Sequence, residues 1–272
     1  MIEILKAALL GLVQGITEWL PISSTGHMLL LDEFLMLQVS DAFMAMFVVV
    51  IQLGSALALL LYFFRMLNPF VPLKSVREKR QTIELWFKII IASFPAGIIG
   101  LLLNDTIEAY LGGFVVIAVM LILYGIFFII VENLNKNRRP STNSTEAISY
   151  KTAALMGAFQ VLALIPGTSR SGSTILGGMI LGCSRAVAAE FSFLMAIPVL
   201  FGASFLKLLK FGLKFSLNEW LILITGMVVA FIASLLTIKS LLDFIKKNSF
   251  KIFGYYRIVL GLIVLAFFIF KK

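Results

Sequence analysis

Residues 11–27 read GLVQGITEWLPISSTGH, and residues 157–172 read GAFQVLALIPGTSRSG. Each starts as an apolar run and breaks, at a proline, into a cluster of hydroxyl residues and glycine. Aligned on Gln14 and Gln160, the two stretches lie 146 residues apart, a spacing that slips to 145 at Pro21 and Pro166. Proline removes a backbone donor, and the serines, threonines and glycines that follow it favour turns. Each stretch is therefore expected to be a helix, a polar turn and a second helix. The apolar residues around the turns, 4–37 and 152–182, offer no unbroken run of the about 20 residues that a spanning helix needs. Both are read as re-entrant helix-loop-helix hairpins.

Outside the hairpins, six stretches are apolar and long enough to span: 44–64, 86–103, 113–131, 187–206, 219–238 and 254–270. They repeat as well. QLGSALALLLYF from Gln52 resembles LFGASFLKLLKF from Leu200, ELWFKIIIASFPAGIIGLLL from Glu84 resembles NEWLILITGMVVAFIASLLT from Asn218, and FFII at 127 resembles FFIF at 267. The matches are weak singly but keep one order. The expected fold is an all-α integral membrane protein of six transmembrane helices and two re-entrant hairpins. Residues 1–131 form a first repeat, 132–150 a cytoplasmic linker and 151–272 a second repeat. Three spans per copy is an odd number, so the copies have inverted topology, which places their interface and its broken helices near the bilayer midplane.

Composition agrees with lipid as the solvent: 60% of the 272 residues are hydrophobic and 14% charged, against about 25% charged in soluble domains. A net charge of +9 is of the sign that suits nucleic acid, but the distribution argues against that partner: the Lys and Arg residues cluster in short segments between apolar runs, as in loops facing an anionic membrane surface. With the linker inside, fifteen basic residues (in 65–80, 136–151, 239–257 and Arg185) face six outside. Both termini then face out, the first hairpin opens outward and the second inward. Arg185 reads as one of these anchors, and Glu190 as a helix-start residue or a neighbour of the site. Cys183 is the single cysteine, so no intramolecular disulfide forms, and it reads as a small apolar residue at a helix end. The run from Ile4 to Val13 is short, contains Lys6 and leads to no small-residue cleavage site, so the N-terminus is expected to be retained.

Ionisable groups at membrane depth cost roughly 2.5–3.5 kcal/mol each on insertion scales and default to function. Here they concentrate in the hairpins: Glu18 and His27 in the first, Arg170 in the second. Gln14 and Glu18, four apart, share a helix face. Pro21 is expected to end that helix, Ser23, Ser24 and Thr25 to form a hydroxyl-rich turn before Gly26, and His27 to sit in the first turn of the next helix. In the second motif Gly167, Thr168, Ser169, Arg170, Ser171, Gly172 and Thr174 compose a phosphate cradle: glycines admit close approach, amides at a helix start attract anions, and the guanidinium fork binds phosphate oxygens in pairs. Together the hairpins supply a nucleophile (a hydroxyl or a water), an acid or base, and positive charge for phosphate ester chemistry. A divalent cation, Mg or Ca, held by Glu18 and the substrate phosphates would complete the site.

The motifs Q-G-x-T-E-x-x-P-x-S-S-T-G-H from Gln14 and P-G-T-S-R-S-G from Pro166, with EFSFLMAIP from Glu190, closely resemble the undecaprenyl-diphosphatase family, the bacterial bacitracin-resistance phosphatases. The likeness extends along the whole chain. It implies hydrolysis of undecaprenyl diphosphate to the monophosphate carrier at the outer face of the bacterial plasma membrane, for cell-wall synthesis, with divalent-cation dependence and bacitracin tolerance. The family's acidic pair maps onto Gln14 and Glu18, its proposed nucleophilic serine onto Ser24, its histidine onto His27 and its arginine onto Arg170; Ser169 and Thr174 match phosphate contacts. Ser24, His27 and water stay open as the attacking group. Expected partners are the polyprenyl diphosphate and membrane lipids, with a homodimer left open. The competing expectation is a transporter of polyprenyl phosphate or another anion, since inverted repeats and broken helices also build alternating-access carriers.

Overall fold

The computed structural model describes residues 1–272 except Leu73, Leu213 and Lys272, and only the backbone of Asn104. Eleven helices carry the described chain: α1 (Ile2–Thr17), α2 (Ser24–Leu35), α3 (Asp41–Tyr62), α4 (Phe64–Leu67), α5 (Val76–Leu111), α6 (Phe114–Asn135), α7 (Tyr150–Leu162), α8 (Arg170–Ile180), α9 (Arg185–Phe211), α10 (Leu217–Ile245) and α11 (Lys251–Phe270). Six segments are long and apolar enough to cross a membrane: α3, Val76–Leu103 within α5, α6, α9, α10 and α11. These are the six that the apolar runs predicted. α5 begins ten residues earlier than its run because Ser75 and Glu78 form a reciprocal capping box that starts the helix in polar sequence. α6 continues through Glu132 to Asn135.

Proline sets both breaks, though not at the proline itself. A proline ring clashes with the carbonyl four residues earlier and cannot donate to it. α1 accordingly ends at Thr17, four before Pro21, and α7 at Leu162, four before Pro166. The expectation that Pro21 terminates the first helix is corrected by that interval: Glu18 is the C-cap, and Ser24 and Thr25 lie inside the first turn of α2 instead of in the turn before it. Beyond each break the chain reverses. The far ends of α1 and α2 meet again, with the Gln38 amide donating to the Glu3 carboxylate at 2.7 Å and Lys6 Nζ to the Met36 carbonyl at 3.0 Å. On the other unit, the linker residues Ser141 and Thr142 are stitched to the turn after α8, and the Ser184 amide donates to the Thr142 carbonyl at 2.9 Å.

Packing pairs the elements across the two halves. α1 lies on α10 and α7 on α5, while α3 faces α9 and α6 faces α11. Small residues permit the first two approaches. A side chain at Gly11 would strike the Gly226 backbone, and one at Gly157 would strike the Ala92 backbone. Close backbone approach through small residues is how helices associate in lipid, where burial of apolar surface offers no driving force. The core that results surrounds the tips of both hairpins, with Trp19, Phe191 and Phe193 fully buried beside them.

Candidate active site

The two breaks end alike. Ser23 is the N-cap of α2 with φ 71°, and Ser169 the N-cap of α8 with φ 72°. A non-glycine residue in this region stores of order 1–3 kcal/mol, and such strain persists where surrounding structure enforces it, often at functional sites. Behind these caps the two loops are fastened to each other. The Ser171 hydroxyl reaches the Glu18 and Leu20 carbonyls at 3.3 and 3.2 Å. Arg170 Nη2 donates to Glu18 Oε1 at 3.3 Å, and Gln14 Nε2 donates to Glu18 Oε2 at 2.8 Å, so the carboxylate is held from both sides. Arg170 Nη1 donates to the Ser192 carbonyl at 2.8 Å, and its guanidinium lies 5.6 Å from the Trp19 ring centre. The Thr174 and Ser192 hydroxyls are 2.6 Å apart.

A cavity of about 210 Å³ opens at this junction, lined on the hairpin side by Glu18, Ser23, Ser24, Thr25, Ser169 and Arg170. Its other wall comes from the middles of the spans: Gln52 of α3, Ala96 of α5, and Val199, Leu200 and Ala203 of α9. Beneath the loops Arg257 of α11 is 0% exposed. Its guanidinium donates to the Gly167 and Thr168 carbonyls at 2.9 Å each and to the Pro21 carbonyl at 3.2 Å. Glu18 is the single carboxylate set against the two arginines among the described residues, so the junction keeps positive charge for an anionic ligand. Gly167, at φ +89°, is required there, because any Cβ would sit 2.5 Å from the Ile117 carbonyl oxygen.

Residues 7–263 match the model of the family described as bacitracin resistance protein BacA. The chain is 59% identical over 269 residues to the undecaprenyl-diphosphatase of Desulfitobacterium hafniense, covering 98% of this chain and 97% of that one. It is 54% identical to the undecaprenyl-diphosphatase of Acetivibrio thermocellus, with 99% of each covered. Undecaprenyl-diphosphatase 1 of Clostridioides difficile is 56% identical, with 98% and 97% covered. The chain belongs to the BacA family. With six candidate spans, this BacA-family chain is a multi-pass membrane protein.

Of the residues singled out in the sequence, Glu18, Ser23, Ser24, Thr25, Gly167, Ser169 and Arg170 line the shared cavity. Gln14, Ser171, Gly172 and Thr174 stand behind it: Gln14 holds Glu18, Ser171 ties loop to loop, the Gly172 amide donates to Ser169 Oγ at 3.1 Å, and Thr174 braces Ser192. Thr168 is buried with its carbonyl on Arg257. His27 is not among the lining residues. Its Nδ1 lies 2.8 Å from the Ser23 carbonyl and its Nε2 2.7 Å from the Tyr256 hydroxyl, with the two rings stacked. A carbonyl accepts only, so Nδ1 carries the proton, and Nε2 pairs with the Tyr256 hydroxyl.

Sequence reasoning missed Gln52 and Gln160 on the cavity wall and misread Arg257. Arg257, counted among inside loop charges, is a buried clamp; its signal was a cation inside the predicted 254–270 span. Arg185, read as an anchor at a span start, also makes a two-pronged ion pair with buried Glu132, Nε to Oε1 at 2.8 Å and Nη2 to Oε2 at 2.6 Å. Glu132 also accepts from the Phe250 amide at 2.8 Å. Cys183 is buried as expected, and burial pushes its thiol up from the ordinary range, away from the reactive thiolate.

Proposed function

We propose that the chain hydrolyses undecaprenyl diphosphate to undecaprenyl phosphate and inorganic phosphate, at a site built where the two hairpin loops meet. The observation that carries this reading is the placement of unsatisfied groups. Among the described residues five buried side-chain polar atoms lack a hydrogen-bond partner, Trp19 Nε1, Ser23 Oγ, Gln160 Oε1, Thr168 Oγ1 and Arg170 Nε, and all belong to the two hairpins. Buried polar atoms are normally paired, and three of the five, on Ser23, Gln160 and Arg170, belong to residues that line the one cavity, where a polar ligand would find partners. Donors and a guanidinium in a positively charged junction suit phosphate oxygens. The family membership and the names of the relatives point to the same substrate.

In this reading Arg170 and the first two amides of α8, those of Arg170 and Ser171, grip the terminal phosphate, and Glu18 fixes the guanidinium plane. Ser24, or a water beside it, attacks phosphorus and gives up its proton to the Glu18 carboxylate, which lines the same cavity. The bond to the bridging oxygen breaks and the lipid monophosphate leaves; when Ser24 attacks, a water then releases the phosphate from serine. His27 holds the Ser23 carbonyl, and thereby the strained N-cap, so its part is to position the α2 loop.

A divalent cation, Mg or Ca, fits as a further proposal. Among the described residues no group of three or more His, Cys, Asp and Glu could cage an ion alone, but Mg²⁺ takes one carboxylate plus substrate oxygens. Glu18 and the unpaired Gln160 Oε1 are the protein atoms suited to hold it. Such an ion would neutralise charge on the diphosphate.

The proposed membrane setting is that of two inverted copies with re-entrant hairpins, 1–131 and 151–272 around a cytoplasmic linker, in the bacterial plasma membrane. The cavity would open to the outer face. The mirrored packing of α1 on α10 and α7 on α5, and a cavity walled by mid-span residues, support it. The same features favour transport as the second reading. Phosphate release from undecaprenyl diphosphate by purified protein, with and without chelator, decides between them: release lost in Glu18→Ala and Arg170→Ala supports hydrolysis. Lipid phosphate moving across vesicles with no phosphate released would overturn it. Phosphoserine trapped at Ser24 by acid quench distinguishes the hydroxyl from water.

A further inference from the structure

A second cavity, of about 390 Å³, lies at the end of the bundle that carries the linker. It is bounded by the ends of four elements: Lys136 after α6, Arg138 of the linker, the turn from Gly182 to the α9 start, and Lys246 after α10. Among the described residues no acidic one lines it, whereas Lys136, Arg138, Arg185 and Lys246 do. Two of those cations are answered: Arg185 by Glu132 beneath it, and Lys246 by Asp243 at 3.0 Å on the exposed side. The other two have no carboxylate. Arg138 donates a single bond, from Nη1 to the Ile180 carbonyl at 3.3 Å, and Lys136 Nζ makes none among the described residues. The linker is not free to swing away, since the Ser141 and Thr142 amides donate to the Gly182 carbonyl at 2.9 and 3.2 Å. The cations are therefore gathered around a preformed space.

We infer that this cavity binds a phosphate group, as the headgroup of an anionic phospholipid. The cationic walls and the Arg185 and Ala186 amides at the start of the 27-residue helix α9 recognise phosphate oxygens. The lipid source is favoured by what adjoins them: Leu134 near the end of α6 and Ile180 at the end of α8, both exposed and apolar, offer acyl chains a path down the outside of the bundle. Basic pockets between spans at a membrane surface hold such headgroups. The site is separate from the hairpin cavity and shares no lining residue with it.

The test uses the full chain, purified in detergent and examined by native mass spectrometry with phosphatidylglycerol or phosphatidylcholine, beside the double variant Lys136→Gln/Arg138→Gln. Arg185 is left intact because it anchors Glu132. Wild type is expected to retain phosphatidylglycerol and not phosphatidylcholine, and the double variant to bind it about 30-fold more weakly, roughly fivefold for each cation removed. Should the double variant fail to fold, Lys246→Gln, a change at an exposed side chain, is expected to weaken binding by the same factor for one cation. Retention unchanged in Arg170→Ala places the lipid here; retention lost there but kept in Lys136→Gln/Arg138→Gln overturns the proposal. Inorganic phosphate titrated without lipid separates the sources. A thermal shift by phosphate that needs Lys136 and Arg138, with no lipid retained, assigns the site to free phosphate, and the absence of both effects ends it.

Discussion

The two hairpins share a plan and differ in how deeply they are set. In α8, nine of eleven residues, Ser171 to Met179, are buried; in α2 only Gly26 and Met28 are. Ser169 Oγ caps its helix by accepting from the Gly172 amide, whereas Ser23 Oγ has no partner. The second hairpin is therefore a clamp fixed in the core, with Arg170 at its first turn, and the first is a more lightly held bearer of hydroxyls. The proposed phosphate site needs both: a preorganised cation whose position costs nothing at the moment of reaction, and a nucleophile free to approach it.

The largest effect that separates them is expected at Arg170. Arg170→Ala removes the guanidinium that meets Glu18 and Ser192 and should lower phosphate release by about 10³-fold, the upper range for loss of one electrostatic donor. Ser24→Ala should abolish any phosphoserine while leaving binding of the lipid, measured by its KM or Kd, nearly unchanged. Arg170→Lys distinguishes charge from geometry: a point charge cannot reproduce the fork, so most of the loss should remain. Near wild-type release from Arg170→Ala would remove the clamp from the comparison altogether.

Arg257 comes next, because it fastens both loops at once. Replacing it with leucine leaves the Gly167, Thr168 and Pro21 carbonyls without their donor, at about 1–3 kcal/mol for each buried group left unpaired. A fall of about 3 kcal/mol in stability is expected, read as a lower unfolding midpoint in detergent, with Arg257→Lys recovering part of it. If the midpoint holds, the loops are positioned by their own strain and packing alone.

Much of this arrangement was legible beforehand. Six spans could be counted because lipid demands unbroken apolar length, and the hairpins were visible because Pro21 and Pro166 interrupt runs too short to cross. Glu18 and Arg170 stood out as charges at membrane depth and are in contact. What escaped was the role of residues whose type is ordinary and whose neighbours lie far along the chain. Gln52 and Gln160 are polar side chains on apolar helices, and only the approach of α3 and α7 to the loops makes them wall residues. Arg257 sits after a basic run and was absorbed into it, although its place inside α11 gave it the same claim as Arg170. Helix limits missed by several residues where proline acts four positions upstream and where a capping box extends α5 into polar sequence.

Helix contacts test whether the halves are equivalent. Gly11 and Gly157 each meet a partner backbone, on α10 and α5 respectively. Gly11→Leu and Gly157→Leu should each destabilise by about 2 kcal/mol through overpacking, measured as matching drops in unfolding midpoint. A drop in Gly157→Leu alone would mean that only the buried hairpin is fixed by this contact.

The smallest effect is the sharpest discriminator, because it isolates the caps. Ser23 and Ser169 occupy nearly the same strained conformation, and glycine relieves that strain in both. At Ser23 the side chain contributes no cap bond, so Ser23→Gly should raise stability by about 1 kcal/mol. It should also lower phosphate release severalfold, because a hydroxyl leaves the cavity wall. At Ser169 the relief is offset by the bonds to Gly172 and Ser171, at 3.1 Å each, so Ser169→Gly should leave stability unchanged within a few tenths of a kcal/mol. Stability and activity thus move in opposite directions at Ser23 if strain is held there for function. Should both variants gain stability equally, the Ser169 cap contributes nothing and the two hairpins differ in burial alone.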